Sequence, residues 1–146
     1  MSDEKQKTIA VSVVSPEGEV FSGKALSVVA KGADGELGVQ YGHTQLLTSL
    51  PPGALRIQLE NNDEKILFVE GGMLEVQPNQ VIILADTVER PMDVNEQAAK
   101  EAKERAKALL AKSKHDKISF DKAQLELAEA EARLQVLALM RKVKSH

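Results

Sequence analysis

GELGVQYGHTQLL, residues 35–47, decides how the chain is read. Gly35 and Gly38 stand three apart, Gly42 follows, and then come His43 and an apolar run. A phosphate cradle needs backbone N–H groups converging at a helix N-terminus, usually with a lysine just after. Here the glycines run into β-like sequence, and neither G-K-S/T nor G-x-G-x-x-G occurs anywhere in the chain. A turn that requires positive φ accounts for the glycines instead. His43 as a general base would need an orienting acid and a nucleophile. Its nearest acids are Asp34 and Glu36, the other histidines are His115 and His146, and no spacing forms a triad or a metal site. The stretch therefore reads as a turn that shapes a contact surface, with His43 hydrogen-bonding locally.

On both sides of this stretch the sequence alternates short β segments with turns. Thr8 to Val14 is rich in β-branched residues, and Ser15-Pro16-Glu17-Gly18 turns the chain. Glu19 to Phe21 and Ala25 to Ala30 read as two further pieces, separated at Ser22-Gly23 and ended by Ala33-Asp34-Gly35. Pro51-Pro52-Gly53, Asn61-Asn62-Asp63, Gly71-Gly72 and Pro78-Asn79 break the remainder. Leu55, Ile57 and Leu59 face one way and Arg56 and Gln58 the other, while the run Val81 to Ala85 reads as a strand buried on both sides. Strands at intervals of about 8–12 residues predict an all-β sandwich or barrel.

After Asp86 the period becomes helical. Asp93 and Glu96 form a capping box, and Ala99, Ala102, Ala106 and Leu109 or Leu110 make a narrow apolar stripe. Ser113 to Ile118 connects to a second helix capped by Ser119, with a stripe of Phe120, Ala123, Leu127, Ala130, Leu134 and Leu137. Two helices with a short link predict an antiparallel α-helical hairpin over residues 89–146, following a β domain over residues 1–88. An alanine seam brings helix axes close but buries little area at ~25 cal/mol per Å². The hairpin should therefore lean on the β domain or on a partner, and detach at modest cost.

Charge follows the same division. Residues 1–88 carry a net −6 and residues 89–146 a net +3. Beyond Glu131 no acid remains, and Arg133, Arg141, Lys142 and Lys144 leave a basic tip suited to an acidic protein surface. Lys103, Arg105 and Lys107 interleave with Glu101 and Glu104, and aromatics are only 3% of the chain, so nucleic-acid binding is not expected. Asp63-Glu64 lies in a turn and reads as solvated. The chain has no cysteine, hence no disulfide and no thiolate chemistry. The polar start MSDEKQKT carries no signal region, and no run approaches the ~20 apolar residues of a membrane span. A cytosolic protein is expected, held at a membrane only through partners.

The order of these pieces resembles a known family. GELG…GH…LLT, then Pro52-Gly53, then Gly71-Gly72-Met73-Leu74-Glu75-Val76, then Val81 to Asp86-Thr87 and an alanine-rich hairpin, is similar to the epsilon subunit of bacterial F-type ATP synthase over nearly the whole chain. The resemblance implies a sandwich of about ten strands and two helices in the central rotor stalk, with no catalytic residues of its own. It implies coupling of proton-driven rotation to ATP synthesis, at the cytoplasmic face of the bacterial inner membrane. Asp34, Gly35, Glu36 and Leu37 would face the ring of c subunits, and His43 the gamma subunit. The hairpin would extend into the alpha/beta ring to inhibit ATP hydrolysis, its tip of Arg133, Arg141, Lys142 and Lys144 meeting an acidic segment of beta. Two departures stand out. Tyr41 replaces the proline usual before Gly-His. Where some members bind ATP through Ile/Leu-Asp-x-x-Arg-Ala, this chain has Val94-Asn95-Glu96-Gln97-Ala98-Ala99, and Gln135 stands near Arg133 in place of a second arginine. ATP binding should be weak or absent, with no other cofactor. Against this stand a generic sandwich-and-hairpin adaptor of another assembly and a small hydrolase built on His43.

Overall fold

The computed structural model describes residues 7–144, with nine β-strands followed by two α-helices. The strands are β1 Ile9–Ser15, β2 Gly18–Gly32, β3 Gly35–Val39, β4 Leu46–Ser49, β5 Gly53–Leu59, β6 Glu64–Glu70, β7 Met73–Gln77, β8 Gln80–Leu84 and β9 Thr87–Glu89. A single 3-10 turn, Pro91–Asp93, leads to α1 Glu96–Lys112 and α2 Lys117–Lys144. The architecture is a β-sandwich with a helical hairpin, built on nine strands among the described residues rather than about ten. The side chain of Lys144, His146 and most of the MSDEKQKT stretch lie outside the described residues.

Pairing runs in the order β4-β7-β8-β1-β2-β5-β6-β9, with β3 also on β2. The two pieces expected around Ser22-Gly23 are one continuous 15-residue strand, β2. Its length is what folds the sheet over. Ala25 has Ile9 on one side and Leu59 on the other, and Val28 has Val39 and Ile57, so β1 and β3 follow one another along the same edge. Register slips near Val13 and between Ala25 and Ser27 bend the strands, as bulges do. Ile9, Val11, Val13, Val28, Leu55, Ile57, Leu74 and Ile83 then meet in one aliphatic core.

The doubly buried strand is not the one expected. In β8 only Val81 and Ile83 enter the core, while Leu84 stands 51% exposed on the other face. The strand buried on both faces is β6. Leu67 and Val69 point into the sandwich, and Ile66 and Phe68 point outward under α2. A strand loses its polar alternation when both faces are covered, and here the cover is a helix.

Both helix caps lie away from the residues expected. Asn95, not Asp93, caps α1, accepting from Ala98 N at 2.9 Å; Asp93 belongs to the turn opened by Pro91. Asp116, not Ser119, caps α2, accepting from Ile118 N at 3.1 Å and from Ser119 Oγ at 2.8 Å. Ala99 and Ala106 of α1 and Ala123 and Ala130 of α2 are buried, and Leu109 is exposed, leaving Leu110 to continue the stripe. The helix α1 packs on α2, and α2 packs on both α1 and the β5–β6 face.

The β6–β7 turn is fixed by backbone. Gly72 has φ +88°, and a Cβ there would run into the carbonyl of Leu84. Gly72→Ala should lower stability by about 3 kcal/mol or more through strain and overpacking. Gly38→Ala, with open space and no positive φ, should stay within about 0.5–1 kcal/mol. Urea denaturation of the two variants measures the contrast.

Candidate functional site

Ala33 and Asp34 form the turn between β2 and β3, and Gly35 opens β3 with φ +123°. Thr48 of β4 pins this turn by accepting from Ala33 N through Oγ1 at 3.0 Å. Asp34 and Glu36 are exposed, while Leu37 is half-buried against the sandwich core. GELGV is therefore strand, and Asp34 in the turn before it and Glu36 in its second position present two carboxylates to solvent. His43 lies past the other end of β3. From Glu36 to Gln40 the chain is extended, about 13 Å at the usual rise. The His43 ring donates through Nδ1 to its neighbour's carbonyl, Thr44 O, at 2.6 Å, and its backbone N–H bonds Gln40 O at 3.1 Å. Gly42 N reaches Pro78 O at 2.6 Å, tying the turn to the β7–β8 connection. His43 is thus an anchored corner residue, separated from Asp34 and Glu36 by the strand.

The two outer faces of the sandwich differ. On the β4-β7-β8 side Leu47 is 64%, Met73 39% and Leu84 51% exposed. Met73 and Leu84 are register partners, and Glu75 separates Leu47 from Ile82 in the next row. Three uncovered large apolar side chains on one sheet face exceed the isolated surface leucines found on any protein. Among the described residues they stand exposed, and the helices pack mainly on the β5–β6 face.

The opposite face is covered by α2. Ala132 and Val136 are buried against Ala54, Ile66 and Phe68, with Leu139 alongside. Arg133 is committed here. Its Nε donates to Glu89 Oε1 at 2.9 Å and its Nη2 to Glu89 Oε2 at 3.1 Å, with the guanidinium 4.4 Å from the centre of the Phe68 ring. Paired hydrogen bonds of this kind are strong and directional, and the Glu89 carboxylate raises the arginine pKa further. One turn earlier on α2, Glu129 faces Glu70 of β6. Burial, and then the hydrogen bond and charge of Glu129, push the Glu70 carboxyl up to about 7.

A second clasp closes the hairpin itself. Arg141, near the end of α2, donates to Glu96 at the start of α1 through Nη1 at 3.0 Å and Nη2 at 2.6 Å. These hydrogen bonds hold the Glu96 carboxyl below its ordinary pKa. Of the basic tip, Arg133 faces the sheet and Arg141 faces α1, while Lys142 lies on the exposed surface. Arg133, Arg141 and Lys142 do not form one patch in this arrangement. Among the described residues no group of His, Cys, Asp or Glu is placed to hold a metal ion, and no helix is long and apolar enough to cross a membrane.

A sheet with one bare apolar face, and a helical hairpin seated on the other, defines a two-part binding subunit rather than an enzyme. The family described as ATP synthase, Delta/Epsilon chain, beta-sandwich domain, matches residues 8–91, and the long alpha-helix domain of the same chain matches residues 93–138. The chain belongs to the delta/epsilon family of ATP synthase, non-catalytic subunits of the central stalk. Its fold is similar to a chain of the Euglena gracilis mitochondrial ATP synthase, in a structure of OSCP/F1/c-ring, at 18% identity and TM-score 0.78. That match covers 94% of this chain and 86% of the other. It is also similar to a chain in the central stalk/c-ring of the Tetrahymena thermophila mitochondrial ATP synthase, at 23% identity and TM-score 0.53, covering 62% and 72%.

Sequence reasoning passed over Glu70, Glu89, Glu129 and Phe68. A signal was available: Ala132, Val136 and Leu139 recur at helical spacing on a second face of α2, and Ile66 to Val69 is an unbroken apolar run. Arg133→Ala should loosen the hairpin from the sheet by about 1–3 kcal/mol. Arg141→Ala should leave this seat intact, with an effect on the α1–α2 clasp that fades with salt. Amide hydrogen exchange of α1 and α2, read against that of the sandwich, separates the two.

Proposed function

We propose that this subunit couples proton-driven rotation to ATP synthesis through its sandwich and restrains ATP hydrolysis through its hairpin. The observation that carries the reading is the way the hairpin is attached. Among the described residues α2 makes the main helical contact with the sheet, through Ala132, Val136 and Leu139 and the Arg133–Glu89 pair, and α1 packs on α2. Small side chains bury little area, so the hairpin leaves as a unit without exposing the sandwich core. Once extended, Arg133 and Arg141 exchange Glu89 and Glu96 for carboxylates of the alpha/beta ring, with Lys142 and Lys144 beside them.

The sandwich supplies the seat in the rotor. The bare face of Leu47, Met73 and Leu84 suits an apolar surface of gamma, with the His43 corner alongside. The Asp34-Gly35-Glu36-Leu37 hairpin, pinned by Thr48, suits the c-ring. The chain is then held at the cytoplasmic side of the bacterial inner membrane through the complex alone. Reconstitution with gamma and the catalytic ring tests both halves. A chain ending after Arg90 should still bind gamma, since β9 is complete at Glu89, and should release ATP hydrolysis from inhibition. Unchanged hydrolysis removes the inhibitory role; loss of gamma binding removes the seat.

ATP binding on the hairpin should be weak or absent. Arg133 is already bonded to both oxygens of Glu89, and Glu70 and Glu129 crowd the same spot with negative charge. Each missing charge-assisted bond to a triphosphate costs more than about 1 kcal/mol. Titration calorimetry should show no binding at micromolar ATP, and a clear micromolar isotherm would refute this.

A further inference from the structure

The seat of α2 contains a charge imbalance that the proposed function does not use. On the outer face of β6, Phe68 and Glu70 point the same way, and their register partners on β9 are Glu89 and Thr87. On α2, Glu129 and Arg133 are one turn apart and share a stripe. Arg133 sits over Phe68, so Glu129 falls on Glu70. The charged groups facing Glu70 are therefore Glu89 from β9 and Glu129 and Arg133 from α2. One guanidinium meets three carboxylates, and it is bonded to both oxygens of Glu89. Fully ionised, the interface carries two uncompensated negative charges, and Glu70 and Glu129 repel across it. With one proton between them they form a carboxyl–carboxylate hydrogen bond instead.

We propose that Glu70 and Glu129 form a proton-operated latch between sandwich and hairpin, closed when the pair holds one proton and sprung when it is lost. The direction follows from linkage. Docking raises the affinity of Glu70 for a proton, to a pKa of about 7 against 4.5, and separation returns it to the ordinary value. The docked form thus binds more protons, so docking weakens as pH rises from near 5 through 7 and levels off above that. Glu96, in the Arg141 clasp, is held below its ordinary value. It stays ionised across this window and adds no opposing slope. The latch presupposes the movable hairpin proposed above, but it is read on the isolated chain.

The chain has no cysteine, so Lys24→Cys on the sandwich and Lys114→Cys at the hairpin tip accept a dye pair in the full-length protein. Single-molecule energy transfer then counts docked and released molecules. From about pH 5.5 to about pH 7.5 the release constant should rise on the order of tenfold, after allowance for solvent screening of a half-buried pair. Glu70→Gln should remove the rise and keep the hairpin docked at the upper pH, and Glu129→Gln should reduce the rise, since burial still favours the protonated Glu70. A wild-type profile that is flat, or that both glutamine variants reproduce, overturns the latch. The double variant Arg133→Ala, Val136→Asp separates the two ideas. If it releases the hairpin while wild type stays flat, the movable hairpin stands and the latch falls. If it too remains docked, both fall.

Discussion

The arrangement of this molecule depends on a strand and a helix that are each apolar on two sides. Strand β6 gives Leu67 and Val69 to the sandwich and Ile66 and Phe68 to the helix. Helix α2 gives Ala123 and Ala130 to its partner helix and Ala132 and Val136 to the strand. Each element is the shared wall of two cores. The sandwich core is large and aliphatic, and the seat under α2 is small, with Phe68 as its one aromatic. Area sets the hierarchy: the small contact under α2 stabilises less than the large sandwich core.

Electrostatics adds direction to that weak contact. Removing one side of a buried charge pair leaves the other uncompensated and costs more than the pair contributes. Arg133 and Glu89 meet over Phe68 with side chains only 29% and 28% exposed, so they fix where α2 lies along β6 more firmly than methyl contacts alone would. The exposed Arg141–Glu96 pair acts differently. It ties the start of α1 to the end of α2 within the hairpin and takes no part in the contact with Glu89 and Phe68.

Much of this was legible from residues alone. Turn signals placed most strands, because Gly71-Gly72, Pro78-Asn79 and Asn61-Asn62-Asp63 are local and their backbone demands are local too. The stripe of Ala99, Ala106, Ala123 and Ala130 marked the hairpin seam. What failed was chiefly any feature whose cause lies far along the chain, together with the two helix caps, whose causes are local. Val81 to Ala85 and Ile66 to Val69 are similar apolar runs, and only the position of α2 makes the second doubly buried. Ser22-Gly23 reads as a break, yet β1 pairs straight across it. Asp93 has the form of a cap, but Pro91 starts a 3-10 turn and moves the helix start to Asn95. Arg133 reads as part of a basic tip because its partner, Glu89, is 44 residues away.

That last case bears on what the seat would give up in the release proposed above. A guanidinium whose Nε–Nη2 edge is filled by one carboxylate cannot offer that edge to a second. That edge of Arg133 therefore belongs to the seat or to an acidic surface elsewhere, never to both, and every partner that takes it must also leave Phe68 without its cation. A partner shifts the equilibrium only by the difference between what it offers and what the seat gives up. The seat gives up a bidentate ion pair and a small apolar contact, but it also sheds the repulsion of Glu70 and Glu129. The same acidic surplus that spoils this spot for a polyphosphate lowers the barrier to leaving it. Charge that looks misplaced against the folded hairpin weakens its seat on the sheet.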